Sequence, residues 1–227
     1  MKVKQGSRTL EAAVLLTLAG GYLDSYTYVD RGGVFANAQT GNIIKLGLRI
    51  ADGNLEECLT YLVPISAFII GVLAALFVER WMQKRDLHYI RRSALMIEII
   101  ALGIVSLIPA GEHTNMLANA LVSFACAIQM EAFPVFIGQP IATTVSTGNL
   151  RKGVDSLFKA IVDRDAAKLR TALVYFLIVV LFITGVTAGC ILTRRFGNYS
   201  VLVPAALMAL TVIVITVRTE HTAEQKQ

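Results

Sequence analysis

The stretch FANAQTGNIIKLG, residues 35–47, lies between two apolar segments, and IATTVSTGNLRKG, residues 141–153, lies between two more. Each puts the same polar element into an oily chain: Thr40, Gly41 and Asn42 in the first, Thr147, Gly148 and Asn149 in the second. The two are offset by 107 residues, and at that offset Lys45 meets Lys152 and Asp24 meets Glu131. A polar element built twice at matched spacing implies two copies of one structural unit.

The apolar residues around these elements arrive in blocks at 10–29, 58–79, 93–110, 115–137, 170–192 and 199–217. Each is about 18 to 23 residues long, enough to cross a hydrocarbon layer as a helix. Hydrophobic residues make up 55% of the chain and charged residues only 16%, against about a quarter in soluble domains. Barrel strands would be shorter and would alternate in polarity. The expected fold is therefore all-α: a polytopic membrane protein whose single transmembrane domain covers 1–227. The first block follows the basic start MKVKQGSR, as a signal peptide would. It lacks a clear A-x-A cleavage site, and the polar residues at 24–28 favour a retained helix.

Six helices divide as three and three, giving repeat halves 1–112 and 113–227. An odd number of crossings inverts the second copy, so the halves are expected to be related by an axis in the membrane plane. Charge supports this orientation. With both termini cytoplasmic, 16 Lys and Arg fall inside and 5 outside, which satisfies the positive-inside rule. The first Thr-Gly-Asn loop then faces out and the second faces in. Each element reads as the start of a short amphipathic helix, with Thr40 or Asn42 expected to cap the first. Helix N-termini gather unpaired N–H donors, which suits polar or anionic solutes. Interfacial helices with ordinary polar caps would give the same pattern.

Carboxylates inside apolar segments need a reason. Asp24, Glu98 and Glu131 qualify, and Gln129 lies beside Glu131. Asp24 sits in GGYLDSYTY, residues 20–28, where paired glycines allow close helix approach. The register at 107 makes Asp24 and Glu131 a pair beside a central path, able to take up and release protons; Glu98 has no such match. The candidate site is Asp24, Asn37, Gln39, Thr40, Gly41, Asn42, Gln129, Glu131, Thr147, Gly148 and Asn149. Gly185 and Gly189 read as a helix contact, Pro64 and Pro204 as kinks, and Cys58, Cys126 and Cys190 as small buried hydrophobes.

No nucleophile elbow, zincin motif or phosphate-binding loop is present, and the histidines are scattered. An enzyme is not expected, and neither is a cofactor or a metal. No basic run interleaves with aromatics, so nucleic acid is not implied.

GGYLDSYTYVDRGGVFANAQTGNIIKLG, residues 20–47, together with ATTVSTGNLRKG, residues 142–153, closely resembles the YoaK-like family of bacterial multi-pass membrane proteins, a domain of unknown function. The resemblance covers nearly the whole chain. It implies about six helices in a bacterial cytoplasmic (inner) membrane, and it implies no substrate. Similar sequences often carry a basic residue after the fourth helix, where this chain has the uncharged FPVFIGQP, residues 133–140. The function expected is a small-solute secondary transporter or channel, with proton coupling as one form of it. The alternative is a structural or regulatory membrane protein that binds lipid or a protein partner. Expected partners are the lipid bilayer and a small polar or anionic solute, with homo-oligomer formation left open.

Overall fold

The computed structural model describes residues 9–81 and 87–224. Among these residues the regular structure is helical, with one isolated β-bridge between Phe136 and Gln139. The helices are α1 (Leu10–Asp30), α2 (Gln39–Ala51), α3 (Leu55–Trp81), α4 (Leu87–Leu107), α5 (Glu112–Ala132), α6 (Ser146–Asp163), α7 (Ala166–Phe196) and α8 (Leu202–Glu224). A short 3-10 turn, Gly197–Val201, joins the last two. Each of the six apolar blocks lies largely on a long helix, although 93–110 and 115–137 run past the ends of α4 and α5 and 199–217 begins in the 3-10 turn. The two Thr-Gly-Asn elements fall in the first turns of α2 and α6.

Two helical stretches among the described residues are long and apolar enough to cross a membrane on length and composition. These are Leu55–Trp81 and Ala166–Val217, the second running through α7, the 3-10 turn and α8. In α3 only 17% of the most apolar window is buried within the protein. Ile69, Ile70, Leu73 and Phe77 all face outward. A soluble protein rarely leaves so continuous an apolar face uncovered. The short helices are also apolar on one exposed side, through Ile43, Ile44 and Leu48 in α2 and Val154, Phe158 and Ile161 in α6.

Local signals set several helix ends. The Thr9 hydroxyl accepts from Ala12 N–H at the start of α1, and Asp165 accepts from the amides of Ala167 and Lys168 at the start of α7. Pro64 lies inside α3, whereas Pro204 sits in the first turn of α8. No helical amide is lost in a first turn, so Pro204 starts a helix rather than kinking one.

Packing crosses between the halves. Helix α1 packs against α7 and α8, and α5 packs against α3 and α4. The short helices lie on their own successors, α2 on α3 and α6 on α7, while α4 meets α8. The chain therefore forms two groups: α1, α6, α7 and α8, and α2, α3, α4 and α5. Glycines set the closest approaches. A methyl group at Gly185 would run into the carbonyl of Leu18, at Gly21 into that of Phe182, and at Gly71 it would lie 2.5 Å from that of Phe124. Small residues bring helix backbones together in this way where lipid supplies no hydrophobic drive.

Gly185→Ala is expected to destabilise the protein by about 1–3 kcal/mol, because its methyl group meets rigid backbone. Gly103→Ala, where a methyl group meets nothing within 4 Å, should not. Thermal unfolding of both variants in the same detergent checks the pair.

Candidate functional site

A backbone that leaves one helix and starts another inside an apolar region must find partners for its polar groups. The loop before α2 finds them in Asn42. Its side-chain oxygen accepts from Phe35 N–H at 2.9 Å, and its amide donates to Phe35 C=O at 2.8 Å. Asn149 makes the same two bonds to Ala142, at 3.2 and 2.5 Å. Lys45 donates to Gly33 C=O at 2.5 Å and Lys152 to Pro140 C=O at 2.6 Å. All these partners are related by the offset of 107. Both asparagines are about fully buried, at 0% and 1% exposure. They are loop clamps, not helix caps. The residues at the cap positions, Ala38 and Val145, make no side-chain cap bond, so the expectation that Thr40 or Asn42 caps α2 is corrected.

The acceptor at the start of α2 comes from another helix. Asp24 Oδ1 accepts from Asn37 N–H at 2.7 Å and Ala38 N–H at 3.3 Å. The Asn37 side chain returns a bond to Gly20 C=O at 3.2 Å. Asp24 is 4% exposed, and its second oxygen, Oδ2, has no hydrogen-bond partner in the protein.

A cavity of about 730 Å³ lies against Asp24, between the N-termini of α2 and α6. Gln39 and Thr40 reach it from one side, Ser146 and Thr147 from the other. Thr144 and Ser25 add hydroxyls; Tyr28, Phe35, Phe68, Phe182 and Met130 supply apolar wall, and Cys190 reaches it from α7. The Tyr28 and Phe35 rings stack with centroids 5.0 Å apart. Behind them the Lys45 ammonium lies 4.3 Å from the Tyr28 ring centroid. Partial burial, and to a lesser degree Arg49, holds the Lys45 amine below its ordinary value.

Of the residues expected at the site, Asp24, Asn37, Gln39, Thr40 and Thr147 line the cavity. Asn42 and Asn149 act behind its wall. Gly41 faces the Phe35 ring too closely for a side chain, while Gly148 has open space. Gln129 is buried with its Nε2 unpartnered, away from the cavity lining.

Glu131 goes elsewhere. It lines a second cavity, about 420 Å³, with Arg91 and Glu79. The reason lies in loop length. Helices α1 and α5 are both 21 residues and end alike, with Arg31 N–H donating to Thr27 C=O and Phe133 N–H to Gln129 C=O. Those ends are offset by 102, not 107. The second loop holds the five extra residues, where Phe136 and Gln139 exchange backbone hydrogen bonds around Ile137 and Gly138, both at positive φ. At an offset of 102 Asp24 corresponds to Cys126. The expected pairing of Asp24 with Glu131 is therefore not one that the structure brings together.

Glu98, which has no match at the offset of 107, is fully buried and accepts from Cys126 Sγ–H at 3.3 Å. Cys58 and Cys126 are buried and Cys190 is half-buried, all as free thiols. Phe68 and Phe182 were missed as wall residues, since an apolar helix face does not announce whether it meets lipid or a cavity.

The family described as "Protein of unknown function (DUF1275)" matches residues 12–214, and the chain belongs to it. It is similar to the UPF0700 transmembrane protein YoaK of Bacillus subtilis (strain 168), at 26% identity over 199 residues, 86% of this chain and 88% of the relative. No solved structure matches it. Together with the exposed apolar helices, this makes the chain a helical membrane protein.

Asn42→Ala and Asn149→Ala are each expected to cost about 1–3 kcal/mol, since each leaves buried backbone groups unpaired. Thr40→Ser and Thr147→Ser should cost little. Chemical unfolding of the four variants separates clamps from wall.

Proposed function

We propose that this member of the family is a six-helix bacterial inner-membrane protein built from two inverted three-helix repeats, and that it moves a small solute through the cavity between α2 and α6. The observation that carries the reading is the convergence of both Thr-Gly-Asn elements on one cavity beside a buried carboxylate. Many transporter folds place their binding site in this way, at the interface of two repeats and at the N-termini of short or broken helices. The exchange of helices between halves and the matched hydrogen bonds at an offset of 107 also favour repeated units. The distribution of Lys and Arg favours opposite orientations, with both termini cytoplasmic.

The geometry suggests how access would alternate. The wall draws Asp24, Tyr28, Thr147, Phe182 and Cys190 from one helix group and Thr40, Phe68 and Met130 from the other. The groups meet again where α4 packs on α8, so rocking about that seam opens the cavity to either side. Asp24 spans the gap: it belongs to α1, and it holds the loop that leads into α2. A charged acceptor binds amides more strongly than a neutral one. Neutralising Asp24 by a proton or a bound solute therefore loosens this latch and couples occupancy to movement.

The test is aqueous access. In protein lacking its three native cysteines, Thr40→Cys should react with a membrane-impermeant thiol reagent added outside, and Thr147→Cys with reagent added inside. Lipid-facing Ile70→Cys should resist both. Protection of both cavity sites from both sides would sink the transport reading and favour a packed membrane protein that binds lipid or a protein partner.

A further inference from the structure

We propose that the solute is a small organic monocation, an amine or quaternary ammonium with an apolar body, bound through Asp24. The inference rests on the transport reading above and names the substrate class of the same cavity.

The charge of the lining decides the class. Among the described residues that line the cavity, Asp24 is the one formally charged side chain. Two cations on neighbouring segments are turned to other work. Lys45 sits behind the Tyr28 and Phe35 rings and donates to the Gly33 carbonyl. Arg31 is fully buried and donates to Tyr26, Val105, Ile108 and Asn115. Backbone amides occupy Oδ1 of Asp24, and Oδ2 is left buried and without a protein partner. A buried carboxylate needs a proton or a cation. An anion in the same space would meet an uncompensated negative charge in low dielectric.

The wall narrows the kind of cation. Tyr28 and Phe35 already hold the Lys45 ammonium against their rings, and Phe68 and Phe182 add two further aromatic rings to the wall; aromatic rings attract cations, ammonium groups above all. Among the described residues no three His, Cys, Asp or Glu side chains converge. A metal ion would thus exchange its hydration shell for one carboxylate and scattered hydroxyls. An organic ammonium loses less water and gains from the apolar surface. The cavity, about 730 Å³, admits a substituent of ring size.

Proton and cation compete for one carboxylate, so affinity rises with pH. The titratable groups facing this region are Tyr28 on α1 and Cys190 on α7, both in the wall, and the Cys126–Glu98 pair of α5 and α4 behind it. Glu98 is the other carboxyl group among them, and it lies behind the wall rather than in the cavity lining.

Three probes that share a phenyl ring and differ in charge test the class: benzyltrimethylammonium, benzyl alcohol and benzoate, titrated calorimetrically into the full-length protein in lipid nanodiscs. The cation should bind, and bind more tightly from mildly acidic to mildly basic pH, while the other two do not. Asp24→Asn should weaken it by about tenfold or more. Phe68→Leu, which keeps an apolar wall and removes a ring, should weaken it less, with the unfolding temperature confirming that both variants fold. Equal or tighter binding of benzoate or the alcohol overturns the class while leaving a solute cavity in place. Cation binding that ignores pH and Asp24→Asn overturns it too. Absence of binding by all three, together with unreactive Thr40→Cys and Thr147→Cys, removes the transport reading along with it.

Discussion

Backbone amides and carbonyls cannot be left unpaired where water is scarce, and both loops that interrupt the long helices meet this demand with a side-chain amide. Asn42 closes seven residues of chain onto Phe35, and Asn149 closes the same span onto Ala142. An asparagine suits this because it offers a donor and an acceptor together, matching the N–H and C=O of one residue. Once both loops are closed, α2 and α6 start at fixed places, and Thr40 and Thr147 arrive at the cavity from opposite sides. The clamps thus place the two Thr-Gly-Asn elements on two walls.

Much of this was legible in the chain. Blocks of apolar residues have the length of long helices, and each lies largely on one. A carboxylate within such a block stands out, and Asp24 is at the cavity. The Thr-Gly-Asn elements were legible as helix starts but not in their internal chemistry. A side chain that bonds backward across seven residues has no periodic signature, so Asn42 read as a cap or a ligand instead of a clamp. The pairing of Asp24 with Glu131 came from one constant offset. Register holds within a helix or a closed loop, but nothing ties the length of the loop between them, and the five extra residues around Ile137 and Gly138 broke it. Phe68 and Phe182 were hidden for a different reason: hydropathy cannot separate a ring against lipid from a ring against a cavity.

The glycines of α1 and α7 bear on the site as much as on stability. Gly21 lets the Phe182 carbonyl approach, and Gly189 accommodates Tyr22 and Ser25. That close seam brings Phe182, Val186 and Cys190 into the same wall as Asp24. The corresponding seam of α3 and α5 uses Gly71 against Phe124 and carries Phe68 and Met130 to the facing wall. Packing that holds each helix group together therefore also sets what the cavity presents.

The halves share their clamps and differ in their charge. In the first, the loop before the short helix hangs on a carboxylate of the preceding long helix. In the second, the equivalent loop is five residues longer, and the buried Thr144 hydroxyl donates to the Met130 sulfur, at 3.6 Å. A second carboxylate in the same cavity would repel the first, and at neutral pH one of the two would have to hold a proton. A single acid avoids that conflict and concentrates the response to protons or solute at one latch. In the proposed mechanism, then, the first half senses occupancy through Asp24. The second half supplies a neutral, hydroxyl-bearing wall that moves with its helix group, so structural repetition need not carry equal chemical roles.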